Sequence, residues 1–330
     1  MQGRVRLPML KRPARAVPGE GDCMEGAFSE LEYGYALLKK RLEGLMPRQG
    51  RYAPRVEGVT LFRGEESVRL ESAFCPPSVG VTVQGFQEAV MGVENHACGT
   101  GDCLLNCVGM PCSFLVREAC REKPFFSMAL ELRAPLLFQL MAEVPCDTGA
   151  ASPPSESALR TAKMTPELLY AFVRLAEAAK DEIRAKVLAP MIVREIHFYL
   201  LTGPFGACLR NFYTPGTPAA QIAQAIGYMR ARCRERLSME VLARMANMAE
   251  STFSRNFRRV TSLSPLQFHK RLKLYEARRL MTLERCSAAD ACFAVGYESR
   301  PQFTREYKRL FGEPPHRNIT RLKNASSGRA

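Results

Sequence analysis

Histidine is scarce in this chain of 330 residues, with four in all. Barrel enzymes that hold iron or a related ion cluster histidines with a carboxylate. Here only His96 falls in the strand-rich part of the chain and no pair stands at ligand spacing, which argues against a metal-dependent oxygenase or isomerase. Long apolar runs are missing too. No stretch approaches the roughly twenty apolar residues of a membrane span, and the basic N-terminus is followed by no apolar signal core. A cytoplasmic, nucleoid-associated protein without a membrane partner is expected, its twelve cysteines mostly reduced thiols. Those cysteines include no C-x-x-C knuckle, the spacing that lets two thiolates meet one zinc ion easily. Acid is absent before Glu20, where Arg4, Arg6, Lys11, Arg12 and Arg15 stand among prolines. Residues 1–24 therefore read as a flexible basic tail.

What is present is one short pattern written twice, about fifty residues apart. Phe253-Ser254-Arg255-Asn256-Phe257-Arg258-Arg259 is answered by Phe303-Thr304-Arg305-Glu306-Tyr307-Lys308-Arg309, and Pro265 by Pro315. Two copies of one supersecondary unit explain this best. On a helix, Phe253, Phe257 and Val260 share a face that must be buried, while Ser251, Ser254, Arg255 and Arg258 fall on the other side. Upstream, Met239, Leu242, Ala243 and Ala246 make a short apolar stripe, followed by Asn247 where a left-handed turn residue would sit. Helix, tight turn, and helix with a cationic outer face make a helix-turn-helix. The second copy runs from Ala288 to Val295, turns at Gly296, and faces Phe303 and Tyr307 inward.

Charge follows the duplication. From residue 219 onward there are 22 Lys and Arg against 9 Asp and Glu; of the totals of 47 and 33, 25 and 24 remain for the rest. A basic unit behind a near-neutral one is the electrostatic footprint of nucleic-acid binding, in which phosphate contacts supply affinity and base contacts specificity. At 46% hydrophobic content the chain is not wholly disordered, and its length allows two cores.

On these residues the last third resembles the AraC/XylS family of transcription regulators, whose DNA-binding domain carries two helix-turn-helix units joined by a long helix. Pro265 to Met281 resembles the joining helix. Ala294-Val295-Gly296-Tyr297-Glu298-Ser299, the Phe303 to Arg309 run and Gly312-Glu313-Pro314-Pro315 resemble the family's most distinctive segment. The first unit departs from it, with Asn247 and Ser262 in place of frequent glycines, and Pro301 is unusual in a recognition helix although tolerable in a first turn. Between Val56 and Val144, short apolar runs separated by Gly, Pro, Asn and Asp suggest a barrel or sandwich. Gln84-Gly85, Gly101 to Leu105, Met110-Pro111 and Glu118 to Phe125 resemble the cupin-like N-terminal domain of one branch of the family.

The expected fold class is α+β: an N-terminal cupin-like β-barrel with helices, then an all-α domain with two helix-turn-helix units. The expected boundaries are a sensor or dimerisation domain over 25–145, a helical segment over 146–211, a linker over 212–218 and a DNA-binding domain over 219–318. Within the last, the two units span about 238–260 and 287–311, with the joining helix at about 265–282; 319–330 reads as a tail. Cys146 to Thr161, rich in Pro, Ser, Ala and Gly, reads as a loop, and Thr165-Pro166-Glu167 as a capped helix start. The helical segment either mediates dimerisation, as the resemblance implies, or completes the sensor core.

Ser251, Ser254, Arg255, Arg300, Thr304 and Arg305 are the candidate base readers, with Arg255 and Arg305 at equivalent outward positions. Thr252, Arg258, Arg259, Lys308 and Arg309 are the candidate backbone contacts. Cys98, Cys103, Cys107, Cys112 and Cys120 are concentrated in the barrel region. Ordinary packing is the first reading of these thiols, a redox or electrophile sensor the second, with Cys120 singled out by neighbouring Arg121 and Lys123. A zinc site or methyl-transfer cysteine is a third. The expected function is a sequence-specific DNA-binding regulator; its alternative is a thiol-based enzyme, repair transferase or sensor attached to a DNA-binding module. Expected partners are double-stranded DNA and a small-molecule or redox effector, with RNA polymerase and a second copy as further candidates; no cofactor or metal is expected.

Overall fold

The computed structural model describes residues 20–71, 74–91, 94–144 and 157–327. The basic stretch before Glu20, and most of the glycine- and proline-rich stretch after Val144, lie outside them. Helix α1 (Glu20–Leu45) takes in residues 20–24, expected as part of the tail, and seats Leu38 and Leu42 in the core.

The strands are β1 (Gly50–Tyr52), β2 (Val59–Gly64), β3 (Val68–Glu71), β4 (Ser78–Gln84) and β5 (Phe86–Met91), then β6 (Glu94–Gly99), β7 (Asp102–Asn106), β8 (Ser113–Arg117), β9 (Phe125–Glu131) and β10 (Leu159–Lys163). They form a six-stranded sheet in the order β1-β2-β9-β4-β7-β10 and a four-stranded sheet in the order β3-β8-β5-β6. Neighbours pair antiparallel. The expected barrel thus takes the form of two sheets that do not close into one ring. Alternation positions the faces: in β2, Val59 and Leu61 are buried while Thr60 and Phe62 are half-buried on the other side. Residues 159–161 are strand where a loop was expected, because Arg160, Thr161 and Ala162 extend the larger sheet beside Leu105, Leu104 and Cys103.

Helix α2 (Ala134–Glu143) follows β9. After β10 come α3 (Pro166–Ala178), α4 (Glu182–Val187), α5 (Ala189–Thr202) and α6 (Gly206–Tyr213). Thr165 caps α3 by accepting from the Leu168 N–H at 3.4 Å. Pro190 sits in the first turn of α5, where its missing N–H leaves no bond unmade, so one apolar run becomes two helices. Thr217 caps α7 (Pro218–Ala231). The rest is helical: α8 (Met239–Met245), α9 (Glu250–Thr261), α10 (Pro265–Leu283), α11 (Ala288–Ala294), α12 (Arg300–Phe311) and α13 (Pro315–Ser327). Residues 319–327, expected as part of a tail, belong to α13, which buries Asn318 and Ile319 against the second helical unit. Among the described residues no helix is long and apolar enough to cross a membrane.

Packing does not divide where composition does. One continuous apolar cluster runs from α1 and the sheets through Phe172, Ile196 and Leu209 into Ile222 and Met229 of α7, Phe253 and Phe257 of α9, and Leu272 of α10. A separate cluster begins at Leu274 of the same helix and holds Leu280, Val295, Phe303, Tyr307 and Phe311. The first helix-turn-helix is thereby built onto the sheet-bearing N-terminal body, and the second stands on its own core.

Candidate nucleic-acid interface

In the first unit Ser238 caps α8 by accepting from the Val241 N–H at 3.3 Å, and Asn247 makes the turn at φ +49°. Asn and Asp tolerate the left-handed region better than other side chains, so an asparagine serves where glycine is the alternative. Helix α9 buries Phe253, Phe257 and Val260, and Phe257 meets Phe268 of α10 edge-on with centroids 5.3 Å apart. Ser262 ends it in a left-handed cap at φ +57°. Ser264 and Gln267 then form a reciprocal capping box that starts α10.

The second unit repeats the plan with a tighter turn. Gly296 has φ +74°, and a Cβ there would lie 2.7 Å from the Arg234 carbonyl oxygen. Ser299 caps α12 by accepting from the Gln302 N–H at 3.4 Å. Phe303, Tyr307 and Phe311 are buried, and the Tyr307 hydroxyl donates to Asn318 Oδ1 at 2.9 Å. Glu306 pins the helix from its side: it accepts from Lys270 Nζ at 2.8 Å, Tyr297 Oη at 2.7 Å and Gln302 Nε2 at 3.2 Å. Sequence reasoning passed over Glu306, although a lone acid within a cationic helix was the available signal.

The opposite faces carry the candidate contacts. On α9, Ser251, Arg255, Arg258 and Arg259 are exposed, and Thr252 and Ser254 are half-buried. On α12, Thr304, Arg305, Lys308 and Arg309 are exposed; Arg300 is exposed at its start, with its guanidinium 5.3 Å over the Phe293 ring. Basic residues on the framework are tied to acids: Arg234 to Glu276 at 2.6 Å, Arg236 to Glu298 at 2.7 Å, and Arg279 to Glu276 and Glu284, each at 2.9 Å. Arg255, Arg258, Arg305, Lys308 and Arg309 make no ion pair among the described residues. Cations without ion-pair partners on the exposed faces of two helices produce a positive field there.

A cavity of about 900 Å³ opens between the sheets and the second helical unit. Its floor comes from both sheets and includes half-buried Thr60, Phe62 and Phe114 and buried Gln87 and Leu104. Its other wall comes from Arg278 and Leu283 of α10, Phe311 of α12, and Asn318 and Leu322 of α13. Arg51 and Arg69 add positive charge from the sheet side, while the Arg278 guanidinium lies 4.4 Å over the Phe311 ring. No lining residue comes from α8 or α9.

The candidate thiols separate into distinct groups. Cys98 and Cys103 are buried near each other on β6 and β7, and Cys103 contacts Met164 at 3.5 Å. Burial pushes Cys98 up to about 12. Cys112 is hydrogen-bonded to Cys75 and Cys107 to Cys208. Cys120 is exposed in a turn closed by its N–H to the Lys123 carbonyl at 3.3 Å. No group of three or more His, Cys, Asp or Glu able to share a metal converges among the described residues. His96 Nε2 lies 3.4 Å from a Glu94 carboxylate oxygen. Cys75 and Cys208 lie far from their partners in sequence, which offered no local signal for either pairing.

Comparisons with known proteins agree with this architecture. Residues 55–208 match the family model for the N-terminus of AraC-type transcriptional regulators, and residues 242–320 match a helix-turn-helix domain model. The HTH-type transcriptional regulator GbdR of Pseudomonas aeruginosa is 27% identical over 100 residues, 30% of this chain and 27% of that protein. The MmsAB operon regulatory protein of the same species is 29% identical over 101 residues, 31% of this chain and 33% of that protein. The chain therefore matches only about a quarter to a third of the length of these curated relatives. Among solved structures, unsaturated fatty acid bound ToxT from Vibrio cholerae has a TM-score of 0.54 at 8% identity, covering 79% of this chain and 94% of its own. Apo ToxT K231A gives 0.55 at 8% identity, covering 79% and 96%.

Proposed function

Because the chain belongs to the AraC/XylS family of transcription regulators, we propose that α9 and α12 are its two reading heads, each entering one major groove. Successive grooves on one face of a duplex lie about 34 Å apart. Arg255 and Arg305 take the base-reading role, with Ser251, Ser254 and Thr304 beside them and Arg300 near the start of α12. Thr252, Arg258, Arg259, Lys308 and Arg309 take the phosphates. The observation that carries this reading is the pair of equivalent exposed arginines, both without an ion-pair partner among the described residues, on helices whose other faces are buried. Selection of bound duplexes from a random library by the full chain tests it. A bipartite motif one helical turn apart is expected, whereas enrichment without a motif rejects sequence-specific reading. Arg255→Ala or Arg305→Ala is expected to cost about 1–3 kcal/mol on the selected site and to relax one half of the motif each. Equal losses on selected and random DNA would refute base reading.

The cavity is the seat of the controlling input in the same reading. An amphipathic anion suits it, with an apolar body against Phe62, Leu104 and Phe114 and a charged end near Arg51, Arg69 or Arg278. The fatty acid bound to ToxT supports that choice. Because the cavity touches the second reading unit and not the first, an occupant would alter the placement of α12 relative to α9. A long-chain carboxylate titrated against the protein bound to its selected duplex is expected to change affinity, and a large-to-small substitution such as Phe114→Ala to weaken that response. An unchanged affinity at ligand saturation sinks this assignment without touching the DNA reading.

A further inference from the structure

Cys107 follows β7 and Cys208 lies in α6, and folding brings their sulfurs to 3.4 Å within the core. We propose that this pair is a redox-modification site: a hydroperoxide oxidises Cys107 and Cys208 to a reversible disulfide that ties the larger sheet to α6. Neither family match nor similar protein assigns such a site. Ordinary packing explains the burial of both residues but not their mutual arrangement. A disulfide needs the sulfurs to close to about 2 Å, a small movement for two side chains already in contact.

The environment divides the roles. The hydrogen bond between the two sulfurs lowers the Cys208 pKa; burial opposes that shift, and the positive charge of Arg160 on β10 assists it. Cys107 itself is held well up, first by burial and then by its bond to Cys208. Cys98, by contrast, is simply pushed up by burial. Cys208 is thus the attacking sulfur and Cys107 the resolving one. The Cys208 thiolate attacks one peroxide oxygen, the O–O bond breaks, and Cys208 sulfenic acid and hydroxide (alkoxide from an alkyl peroxide) result. The hydroxide or alkoxide takes the Cys107 proton, becoming water or alcohol. The Cys107 thiolate attacks the sulfenic sulfur, the S–S bond forms as the S–O bond breaks, and the departing hydroxide leaves as water after protonation. Two electrons pass from the thiol pair to the peroxide, and a dithiol returns them. Hydrogen peroxide is scarcely larger than water, and Cys208 keeps 4% of its surface in solvent.

Position makes the bond consequential. The Cys107 N–H donates to the Ala158 carbonyl at 2.8 Å, and the Ala158 N–H donates to the Val260 carbonyl at 3.1 Å, in the last turn of α9. The Tyr213 hydroxyl, at the end of α6, donates to the Cys107 carbonyl at 3.3 Å. The disulfide would join the two routes by which the sensor body holds the first reading unit: through 157–159 to α9, and through α6 to α7.

The test treats the folded full-length chain with a few equivalents of hydrogen peroxide, then traps free thiols by alkylation under denaturing conditions and maps peptides without reduction. The expected result is a dominant linked pair containing Cys107 and Cys208, with a raised thermal unfolding midpoint, both reversed by dithiothreitol. Cys208→Ser and, separately, Cys107→Ala should lose the linked pair and the rise, whereas Cys120→Ser, at an exposed thiol, should keep both. The proposal is overturned if Cys107 and Cys208 remain alkylated while Cys120 oxidises, or if the dominant link joins other cysteines. Mapping on the unsubstituted chain decides this even if a core variant fails to fold.

Discussion

At the scale of single residues, His269 makes the acid limit of this protein predictable. It lies on α10 with 4% of its surface exposed, and its pKa is lowered from 6.5 to about 4, first by burial and then by the charge of Lys273; a hydrogen bond to the Cys233 backbone opposes the shift. His197 shifts in the same direction through burial, its Nε2 accepting from the Arg133 N–H at 3.0 Å and its Nδ1 placed 2.7 Å from the Val193 carbonyl, which suits a neutral ring. A histidine that stays neutral when folded binds its proton more readily unfolded. The stability it supports is therefore complete above about pH 6.5 and drains away as pH falls toward 4. The urea midpoint is expected to fall between pH 7 and pH 5, and His269→Gln to flatten that slope; a slope left intact assigns the acid sensitivity elsewhere. None of this was legible beforehand, because burial of His269 depends on which helix covers α10. The outward placement of Arg255 and Arg305 was legible, since two aromatics four residues apart fix the inner face and everything opposite follows.

At the scale of elements, the turns decide whether each reading head is aimed. Gly296 sits at φ +74° with the Arg234 carbonyl and Lys273 Nζ close to where a Cβ would go. Gly296→Ala is expected to lose roughly 1–2 kcal/mol from the left-handed backbone alone, and more from the clash, as measured by denaturant unfolding. Asn247→Gly at φ +49° should change stability far less; equal effects at the two turns would refute the distinction. Both helix-turn-helix units were readable in the sequence because capping hydroxyls, turn residues and apolar spacing agree with one another. Two elements were not. Strand β10 alternates weakly and owes its existence to the open side of β7, a partner that local pattern does not reveal. Helix α13 had its signal in Ile319 and Leu322, three residues apart and both packed on the second core. The expected boundary at residue 318 falls just before that pair, so the helix was cut inside its first turn.

At the scale of the whole molecule, composition and packing draw different maps. Charge changes near residue 219, where the basic last third begins, yet the apolar interior passes through that point unbroken and separates only between Leu272 and Leu274. Which apolar faces meet is a tertiary fact, so no periodicity could have moved the boundary into the middle of α10. The four residues Thr214 to Thr217, which look like a hinge, join helices already held in one core. Helix α10 is therefore the drive shaft of the molecule. It belongs to both cores and carries the orientation of α9 across to α12 along one helix, at about 100° and 1.5 Å per residue. In the proposed reading, the relative phase of the two helices on a duplex is therefore set within α10, and the Thr214 to Thr217 connection does not enter it.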